Sequence, residues 1–298
     1  IENGMLLDLA HDAMKNGSVM RAVYEQPALA RQDGLWMLNN KRWGRIGGIN
    51  GHGYNLTIGK DFLFDEHGYY GLLFDYGSNT VSGAAGSGEY DSYSLGLYAG
   101  NKNKPGSITG FVSYGLQANK GTAYLPVLGQ TAESGYDSKT LGIGVEYAYD
   151  LDYGKPEELW HVSPYARLNF THYRQKAFRE HGAGVFDRSF GSYSDNYAEG
   201  ELGLSFDRSE GTGGYGIRLG YKRILAGERQ LMEVCFAEDE CGALLPVRSW
   251  GEGRNHFVAA AYVRHDFSRK WSAGGSLSGD WSNGGREIGA RLDLAYHF

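Results

Sequence analysis

Few side chains in this sequence have the types and spacing that catalysis requires. His161 and Ser163 lie two positions apart in the stretch "HVSP", and residues two apart share one face of a β-strand. A histidine beside a serine is the arrangement in which a base activates a nucleophile, as in a lipid hydrolase. Pro164 follows directly, however, and the pair falls next to a predicted short turn on a polar face. The stretch therefore lacks the lipid access and the local context that this chemistry needs.

A second set of candidates would suit an acid–base protease. His265 and Asp266 are adjacent in "RHDF", and Asp137 lies in a predicted long loop. These three residues do not form the paired aspartate and histidine clusters of such a site, and positions at the rim of the fold explain them more simply. The chain is predicted not to be an enzyme, and no cofactor site is expected.

The two cysteines of the chain are close in sequence. Cys235 and Cys241 flank the short acidic stretch "FAEDE", and no histidine stands near them to complete a metal site. In an oxidising compartment such a pair can close a small loop. We expect a disulfide, with free thiols as the alternative.

The elements that position these residues are best seen in the final stretch, "EIGARLDLAYHF". Its residues divide alternately into an apolar row and a polar row, which is the period of a β-strand with two different faces. The apolar row is Ile288, Ala290, Leu292, Leu294, Tyr296 and Phe298. The interleaved row is Glu287, Gly289, Arg291, Asp293, Ala295 and His297. A half-buried strand of a soluble sheet gives the same pattern, so one segment does not decide the class.

The same alternation recurs along the chain after about residue 35. We count about twelve such segments, including "NLTIGKDFLF" and a less regular one from Trp36 to Ile46. The rows opposite the apolar ones carry charges of both signs. A membrane β-barrel places its apolar rows against lipid and its polar rows in a wet lumen. The charged residues predicted to line that lumen are Glu146, Arg167, Glu199, Glu201, Arg218 and Arg291.

The connections favour a barrel over a sandwich. The links after even-numbered strands are predicted to be short, near residues 65, 101, 152, 208 and 268, whereas long links fall at 119–135, 174–193 and 225–253. Short turns on one rim and long loops on the other are typical of outer-membrane barrels. Aromatic residues at the strand ends suit interfacial girdles, namely Tyr69, Tyr70, Tyr147, Tyr149, Trp160, Trp271 and Trp281. Only closure of the sheet satisfies every backbone donor in hydrocarbon.

Composition agrees with this class. The chain contains 46 Gly, 22 Tyr and 6 Pro among 298 residues, as many closely packed strands require. A net charge of −6 gives no footprint for nucleic acid. No apolar run approaches the length of a transmembrane helix. The opening "IENGML" has neither an initiator Met nor a signal peptide, so we expect a mature or excised fragment.

The first thirty residues have a helical rather than an alternating pattern. Met5, Leu6, Leu9, Ala10, Ala13 and Met14 recur at helical spacing, and the pattern resumes after Asn16-Gly17. The pattern predicts a helix, broken near Gly17, that ends before Pro27. A barrel of about twelve strands has room for one helix inside. We therefore predict two units, a helix and linker over 1–34 and an outer-membrane barrel over 35–298. The helix is expected in the pore, and the alternative is a helix packed on the outside of the barrel or on its periplasmic rim.

A helix, a segment such as "GLWMLNNKRWGRIGG", and a barrel whose last strand has Tyr296 and Phe298 resemble the translocator domain of monomeric autotransporters, the type V secretion family. The resemblance covers essentially the whole chain. It implies a twelve-stranded barrel that exports an N-terminal passenger, anchors it, and is then plugged by the helix. The terminal residues Tyr296 and Phe298 are similar to the signal that the outer-membrane assembly machinery reads.

The resemblance also implies a setting and partners. We expect an integral protein of a Gram-negative outer membrane, with its loops and N-terminal side at the cell surface. Its expected partners are membrane lipid, its own passenger, the barrel assembly machinery and periplasmic chaperones, and the barrel is expected to be a monomer. The helix residues expected to meet lumen charges are Asp12, Lys15 and Arg21.

Some alternatives remain open at this point. Some members of the family cleave their passenger through an asparagine that cyclises, and Asn3 and Asn16, each followed by Gly, are the candidates; Asn39 and Asn40 fall in the first strand instead. Rival functions are an omptin-like protease, a lipid hydrolase and a porin. An upstream reading frame would separate a translocator from an enzyme, and conductance with and without residues 1–30 would separate it from a porin.

Overall fold

The computed structural model describes residues 4–25, 33–125, 128–156, 158–238 and 241–298, and its strands form one closed barrel and one small sheet. The strands along the chain are β1 (Gly34–Ile46), β2 (Ile49–Leu63), β3 (Gly68–Gly83), β4 (Gly86–Asn101), β5 (Gly106–Leu125), β6 (Gln130–Tyr149), β7 (His161–Gln175), β8 (Phe178–Arg179), β9 (Arg188–Phe190), β10 (Tyr193–Glu210), β11 (Gly213–Ala226), β12 (Leu231–Phe236), β13 (Leu245–Arg248), β14 (Asn255–Asp266), β15 (Trp271–Ser282) and β16 (Gly285–His297).

The barrel contains every strand except β8, β9, β12 and β13, which makes twelve antiparallel strands. It closes where β1 pairs with β16, from Gly34 opposite His297 to Ile46 opposite Gly285. Closure removes the unpaired edges of the sheet, so backbone donors and acceptors are satisfied within the wall. The prediction of a closed barrel of about twelve strands, with the Trp36–Ile46 segment among them, is confirmed.

The two faces of β16 show how the alternating rows are used. Ile288 and Leu292 are 50% and 71% exposed on the outside of the barrel, whereas Arg291 is only 7% exposed on the inside. Large apolar side chains that are exposed on every strand would be unfavourable in water, but they are favourable against lipid. The apolar row therefore meets the membrane and the polar row faces the lumen.

Two details of the predicted connections are wrong. Residues 119–135 are not a long loop, because β5 and β6 continue to Leu125 and from Gln130 as two strands of 20 residues each. The link near residue 152 is not short, since β6 ends at Tyr149 and β7 begins at His161. Loop length therefore separates the two rims less cleanly than predicted; the two long links that remain join β7 to β10 and β11 to β14.

Tyr69 was expected in the outer aromatic girdle and lies inside instead. Its side chain is 2% exposed, whereas the adjacent Tyr70 is 48% exposed on the outside. The Tyr69 ring covers the backbone at Gly100, where an added Cβ would overlap it, and the Tyr98 ring covers Gly71 in the same way. Glycine is required at such positions because a ring from the neighbouring strand lies directly on the backbone.

Two helices occupy the lumen. Helix α1 spans Met5–Lys15 and helix α2 spans Ser18–Tyr24. The break falls at Asn16-Gly17, where Gly17 has a φ of 59°, a backbone conformation that glycine adopts at little cost. The break and the position inside the pore agree with the prediction, while Pro27 lies outside the described residues. Neither helix in the described chain has the length and apolarity needed to cross a bilayer.

The two long links fold over one rim of the barrel. Strands β8, β9, β12 and β13 form a four-stranded sheet in the order β13-β12-β9-β8, which we call the cap sheet. A 3₁₀ turn at Gly184–Phe186 precedes β9. A disulfide joins Cys235 of β12 to Cys241, which lies beyond the end of that strand. This rim is called the loop rim below, and the opposite one, where residue 33 and Phe298 meet, is called the turn rim.

Candidate functional site: the plugged lumen

The first turns of α1 pack beneath the cap sheet. Leu6 and Leu7 are buried in one cluster with Met232, Val234 and Val247 of the cap strands. Burial of a leucine side chain contributes about 1.5–3 kcal/mol relative to exposure. The apolar spacing seen in the sequence therefore fixes α1 against the cap as well as against the barrel wall.

Deeper in the lumen α1 meets the wall on two sides. Met5 and Leu9 pack with Ile49, Val81 and Tyr90 in one cluster. Ala10 and Met14 pack with residues of the opposite wall in another, which contains Tyr173, Tyr197 and Ile224. Because apolar side chains point from α1 in several directions, the helix fills the upper lumen rather than lining one side of it.

Backbone contacts hold the start of α1 at the loop rim. Gly4 lies so close to the Arg248 carbonyl of β13 that a Cβ at this position would overlap it. Four residues on, the Asp8 carboxylate accepts a hydrogen bond from the Trp250 backbone N–H at 2.7 Å. The Trp250 ring in turn covers Gly47 in the β1–β2 turn. The cap, the helix and the wall are thus joined at one place.

A buried ion pair ties the middle of α1 to the first strand. Arg42 of β1 donates two hydrogen bonds to Asp12, one of them at 2.9 Å from Nη1 to Oδ1. The side chains of Arg42 and Asp12 are only 3% and 9% exposed. Tyr90 donates a further hydrogen bond to Asp12 at 2.8 Å, and Asn79 accepts one from Arg42 at 2.8 Å. Bidentate pairing of this kind is geometrically specific.

Two glutamates form ion pairs with positively charged residues of α1 and α2, which together we call the plug. Glu287 of β16 lies 3.3 Å from the Lys15 ammonium, 3.1 Å from Arg21 and 3.2 Å from Arg42. Glu252, which follows the cap sheet, lies 3.2 Å from the His11 ring and 3.7 Å from Lys15. Burial by itself raises the pKa of the Glu252 carboxyl, but His11 and Lys15 hold that pKa well below its usual range. Glu252 therefore stays ionised and keeps the plug charges paired.

The end of α2 is held by a different cluster. Arg167 of β7 lies 2.9 Å from Glu25, contacts Glu146, and lies 3.8 Å from Glu201. Its guanidinium is also 5.1 Å from the centre of the Tyr24 ring, within the range of a cation–π contact. The residue that ends the described part of the plug is thus bound to the wall through charge rather than apolar packing.

A cavity opens below this cluster. It has a volume of about 300 Å³ and is lined by Tyr24 and Glu25 of the plug and by residues of five wall strands. Its wall includes Arg218 and Arg291, and Arg218 lies 3.6 Å from Glu146. This cavity distinguishes the turn end of the lumen from the loop end, where α1 packs directly against wall and cap.

The six predicted lumen residues all face inward. Arg167 meets the plug directly through Glu25, and Glu146 and Glu201 surround it. Glu199 instead lies 3.6 Å from Lys222, and Arg291 lies 3.7 Å from Asp293. None of the six contacts the three predicted helix residues Asp12, Lys15 and Arg21 through the ion pairs seen in the described chain.

The wall partners of the helix residues are Arg42, Glu252 and Glu287. Alternation along β1 and β16 would place Arg42 and Glu287 on the inner rows, so their inward position has a sequence signal. Glu252 has none, because it lies in an irregular segment after the cap sheet whose path depends on tertiary packing.

The two terminal aromatic residues face the membrane at the turn rim. Phe298 is 65% exposed, and its backbone N–H donates a hydrogen bond to the Asp33 carbonyl at 3.1 Å. The Tyr296 ring lies 4.9 Å from that of Trp271 on the adjacent strand. These side chains belong to the outer aromatic girdle that borders the lipid.

The catalytic candidates are not brought together. His161 and Ser163 both lie on the inner row of β7, where His161 is 3.6 Å from Asp150, but no hydrogen bond joins His161 to Ser163 within the described residues. Asp137 lies toward the loop rim on β6, whereas His265 and Asp266 end β14 at the turn rim. They cannot form one acid–base site across the length of the barrel.

The asparagines considered for self-cleavage lie in different parts of the chain. Asn16 is buried at the break between the helices, and its side-chain amide donates to Asn79 at 3.3 Å and to the Tyr90 hydroxyl at 3.0 Å. Asn39 and Asn40 lie in β1, as predicted. Asn3 lies outside the described residues.

Comparisons with known proteins agree with this architecture. The family profile described as the autotransporter beta-domain matches residues 35–278. The translocator domain of autotransporter NalP from Neisseria meningitidis has a similar structure, with a TM-score of 0.79, 18% identity and 99% coverage of both chains. The beta domain of the Bordetella autotransporter BrkA has a TM-score of 0.69 and 16% identity, and the match covers 90% of this chain and 100% of that one. The transport unit of the autotransporter AIDA-I from Escherichia coli has a TM-score of 0.64 and 13% identity, and the match covers 99% of this chain and 98% of that one. No curated protein matches by sequence.

Proposed function

Because the chain belongs to the autotransporter family and is an outer-membrane translocator, we propose that it exports a passenger joined to its N-terminal side and then closes its own lumen with α1 and α2. The observation that carries the proposal is the path of the chain. Gly4 lies against the cap sheet at the loop rim, and Asp33 lies at the turn rim beside Phe298. A polypeptide that precedes Gly4 would therefore leave the barrel at the loop rim.

The wall of the lumen suits a passing polypeptide. Charges of both signs alternate around it, as in the cluster of Arg167, Glu146 and Glu201 and in the pair of Lys222 and Glu199. Such a wall offers hydrogen bonds and ion pairs at many points without one strong field, so an extended chain can exchange partners as it moves. No covalent chemistry is required of the translocator.

The same charges hold the helices after export. Arg42, Glu252 and Glu287 form ion pairs with α1 and α2, and Arg167 forms one with Glu25. Without the helices, Arg42 would lose its Asp12 partner, and Glu252 would lose His11 and Lys15. The plug is thus the last segment to pass and the one whose charges fit the wall.

Orientation and assembly form part of the proposal. The cap sheet and the start of α1 would lie at the cell surface, and the short turns would face the periplasm. The outward-facing rings of Tyr296 and Phe298 would be read by the barrel assembly machinery, after periplasmic chaperones have delivered the chain. A closed wall with no free edge supports a monomer.

Display of a reporter tests the proposal directly. A small folded reporter is joined before Ile1 and the fusion is expressed in a Gram-negative host with a signal peptide. Protease added to intact cells should remove the reporter, because it lies outside the loop rim. As a matched control, an epitope placed in the turn at Ser268–Lys270 should remain protected until the outer membrane is broken.

Two results would contradict the proposal. If the reporter stays protected while the barrel is folded and inserted, the chain does not export what precedes it. If the turn epitope is cleaved on intact cells and the reporter is not, the orientation is the reverse of the one proposed.

A further inference from the structure

Two arginines face each other across the seam of the barrel on its outer surface. Arg45 of β1 pairs in register with Arg286 of β16. Both alternate with lipid-facing side chains, because Trp43 and Ile288, each two residues away, are 46% and 50% exposed. Like charges directly opposite in a sheet are destabilising. The pair therefore calls for an anion that neutralises it.

The protein itself supplies no such anion. Within the described residues, no carboxylate lies within 4.0 Å of Arg45, Arg286 or Lys41, which stands on the same outer row of β1. Arg45 donates a hydrogen bond to the Gly47 carbonyl at 3.0 Å. The Lys41 ammonium lies 5.3 Å from the centre of the Trp43 ring, toward the loop rim. By contrast, Lys120 on the outside of β5 has Glu89 at 3.5 Å.

The height of the arginine pair matches that of lipid headgroups. Ten residue steps separate Ile288 from Phe298, and at about 3.4 Å per step with a tilt of about 40° they rise about 26 Å. The apolar band of an outer-membrane barrel is about 25 Å tall. Arg286 lies two residues beyond Ile288, next to the exposed ring of Trp281. It therefore stands just above the hydrocarbon, where headgroup phosphates lie.

A second pair repeats the arrangement on another part of the wall. Lys139 of β6 pairs in register with Arg174 of β7, and both are exposed. Ten residue steps separate Lys139 from Tyr149 at the turn rim, two fewer than separate Arg286 from Phe298. Asp137 is on the same outer row, but it lies beyond 4.0 Å of both cations. Both pairs therefore lie near the upper border of the apolar band, and one cause can explain both.

We propose that each of these pairs binds the phosphate group of an anionic lipid in the leaflet at the loop rim. Guanidinium groups bind phosphate through two parallel hydrogen bonds, and the tryptophans beside Arg45 and Arg286 anchor the same level of the membrane. Lys41 adds a third positive charge to the first site, and Lys139 supplies the second charge of the other site; both charges lie at the ends of flexible side chains. The inference depends on insertion of the barrel and not on passenger export.

Lipid stoichiometry tests the proposal. The full chain is purified in a non-ionic detergent and titrated with phosphatidic acid, which has a phosphomonoester headgroup, while bound lipids are counted by native mass spectrometry. The wild type should retain two lipids. R45Q/R286Q and K139Q/R174Q should each retain one, and the quadruple variant none. The matched control R269Q/K270Q removes two charges from a turn at the opposite rim and should retain two.

Three outcomes would overturn the inference. The first is retention of both lipids by R45Q/R286Q and by K139Q/R174Q. Each variant must first be shown to be folded, by its resistance to unfolding in detergent at low temperature. The second is equal retention of phosphatidylcholine, which has no net charge. The third is displacement of the lipid by an equal concentration of inorganic phosphate, since the sites would then bind the free ion. Because no passenger is involved, failure here leaves the export proposal intact.

Discussion

The two ends of the lumen are closed by different means. At the loop end, α1 is packed on several sides by apolar clusters and by the cap sheet, and its central Asp12 is paired with a buried arginine. At the turn end, α2 packs on one side in an apolar cluster through Val19 and Val23, and on the other side Glu25 meets Arg167 above a cavity of about 300 Å³. The helix at the loop end is thus packed on several sides, whereas the helix at the turn end is packed on one side and borders a cavity on the other.

This difference indicates where the plug can give way. A helix that is packed on several sides loses contacts on all of them when it moves, whereas a helix that borders a cavity loses fewer. We therefore expect changes at the loop end to open the channel and equivalent changes at the turn end to have weaker effects. The following predictions test this contrast.

Removal of the plug should have the largest effect. A variant that lacks residues 1–25 should conduct ions in planar bilayers as a wide pore, because neither α1 nor α2 then fills the lumen. The full chain should remain closed for most of the recording. If the two proteins conduct alike, the helices do not block the pore in the membrane.

Loss of the buried ion pair should come next. Arg42→Ala leaves the Asp12 carboxylate buried without its main partner, which typically costs about 3–5 kcal/mol. We expect this loss in the free energy of unfolding measured in urea, together with frequent channel openings.

Glu25→Gln is the matched change at the turn end. The Glu25 side chain is 25% exposed beside the cavity, and Arg167 keeps Glu146 and Glu201 as partners, so the loss should be about 1–2 kcal/mol. Equal effects of Arg42→Ala and Glu25→Gln would contradict the proposed contrast between the ends.

Truncation of an apolar anchor should have an intermediate effect. Leu7 is 1% exposed beneath the cap sheet, and Leu7→Ala should lower the free energy of unfolding by about 2–3 kcal/mol through lost burial and a new cavity. Met20→Ala on the half-buried face of α2 is the control and should cost less. The opposite order in a thermal unfolding series would show that the cap does not hold α1.

Removal of the disulfide should have the smallest effect on closure. Cys235 and Cys241 belong to none of the apolar clusters that contain α1 in the described chain. The C235S/C241S variant should show faster proteolysis of the cap and unchanged conductance. An increase in channel openings would mean that the loop supports the packing of the cap on Leu6 and Leu7.

Sequence periodicity was enough to predict the wall of the barrel. The rows of β16 required only that lipid and water select opposite faces, and that constraint acts on every residue of every strand. The same reasoning failed at 119–135, because strands that continue beyond the membrane lose the apolar row while they keep their hydrogen bonds. The positions of Lys120 and Glu89 on the outside of such an extension show this loss.

The contacts of the plug were less accessible to sequence. The inward rows indicate which side chains reach the lumen, but the height and rotation of α1 decide which of them meet. Asp12 therefore faces Arg42 rather than any of the six predicted residues. Glu252 and the cap sheet depend on the fold of two long links, for which no periodic pattern exists.

The pairing of β1 with β16 also bears on the order of assembly. These strands come from opposite ends of the barrel sequence, so every other strand must be in place before the last hydrogen bonds can form between Gly34 and His297. Until then the sheet is open, β1 and β16 are unpaired edge strands, and the gap between them leads from the lumen to the bilayer. A segment too bulky for the closed barrel would have room to enter through this gap and would be excluded after β1 and β16 have paired.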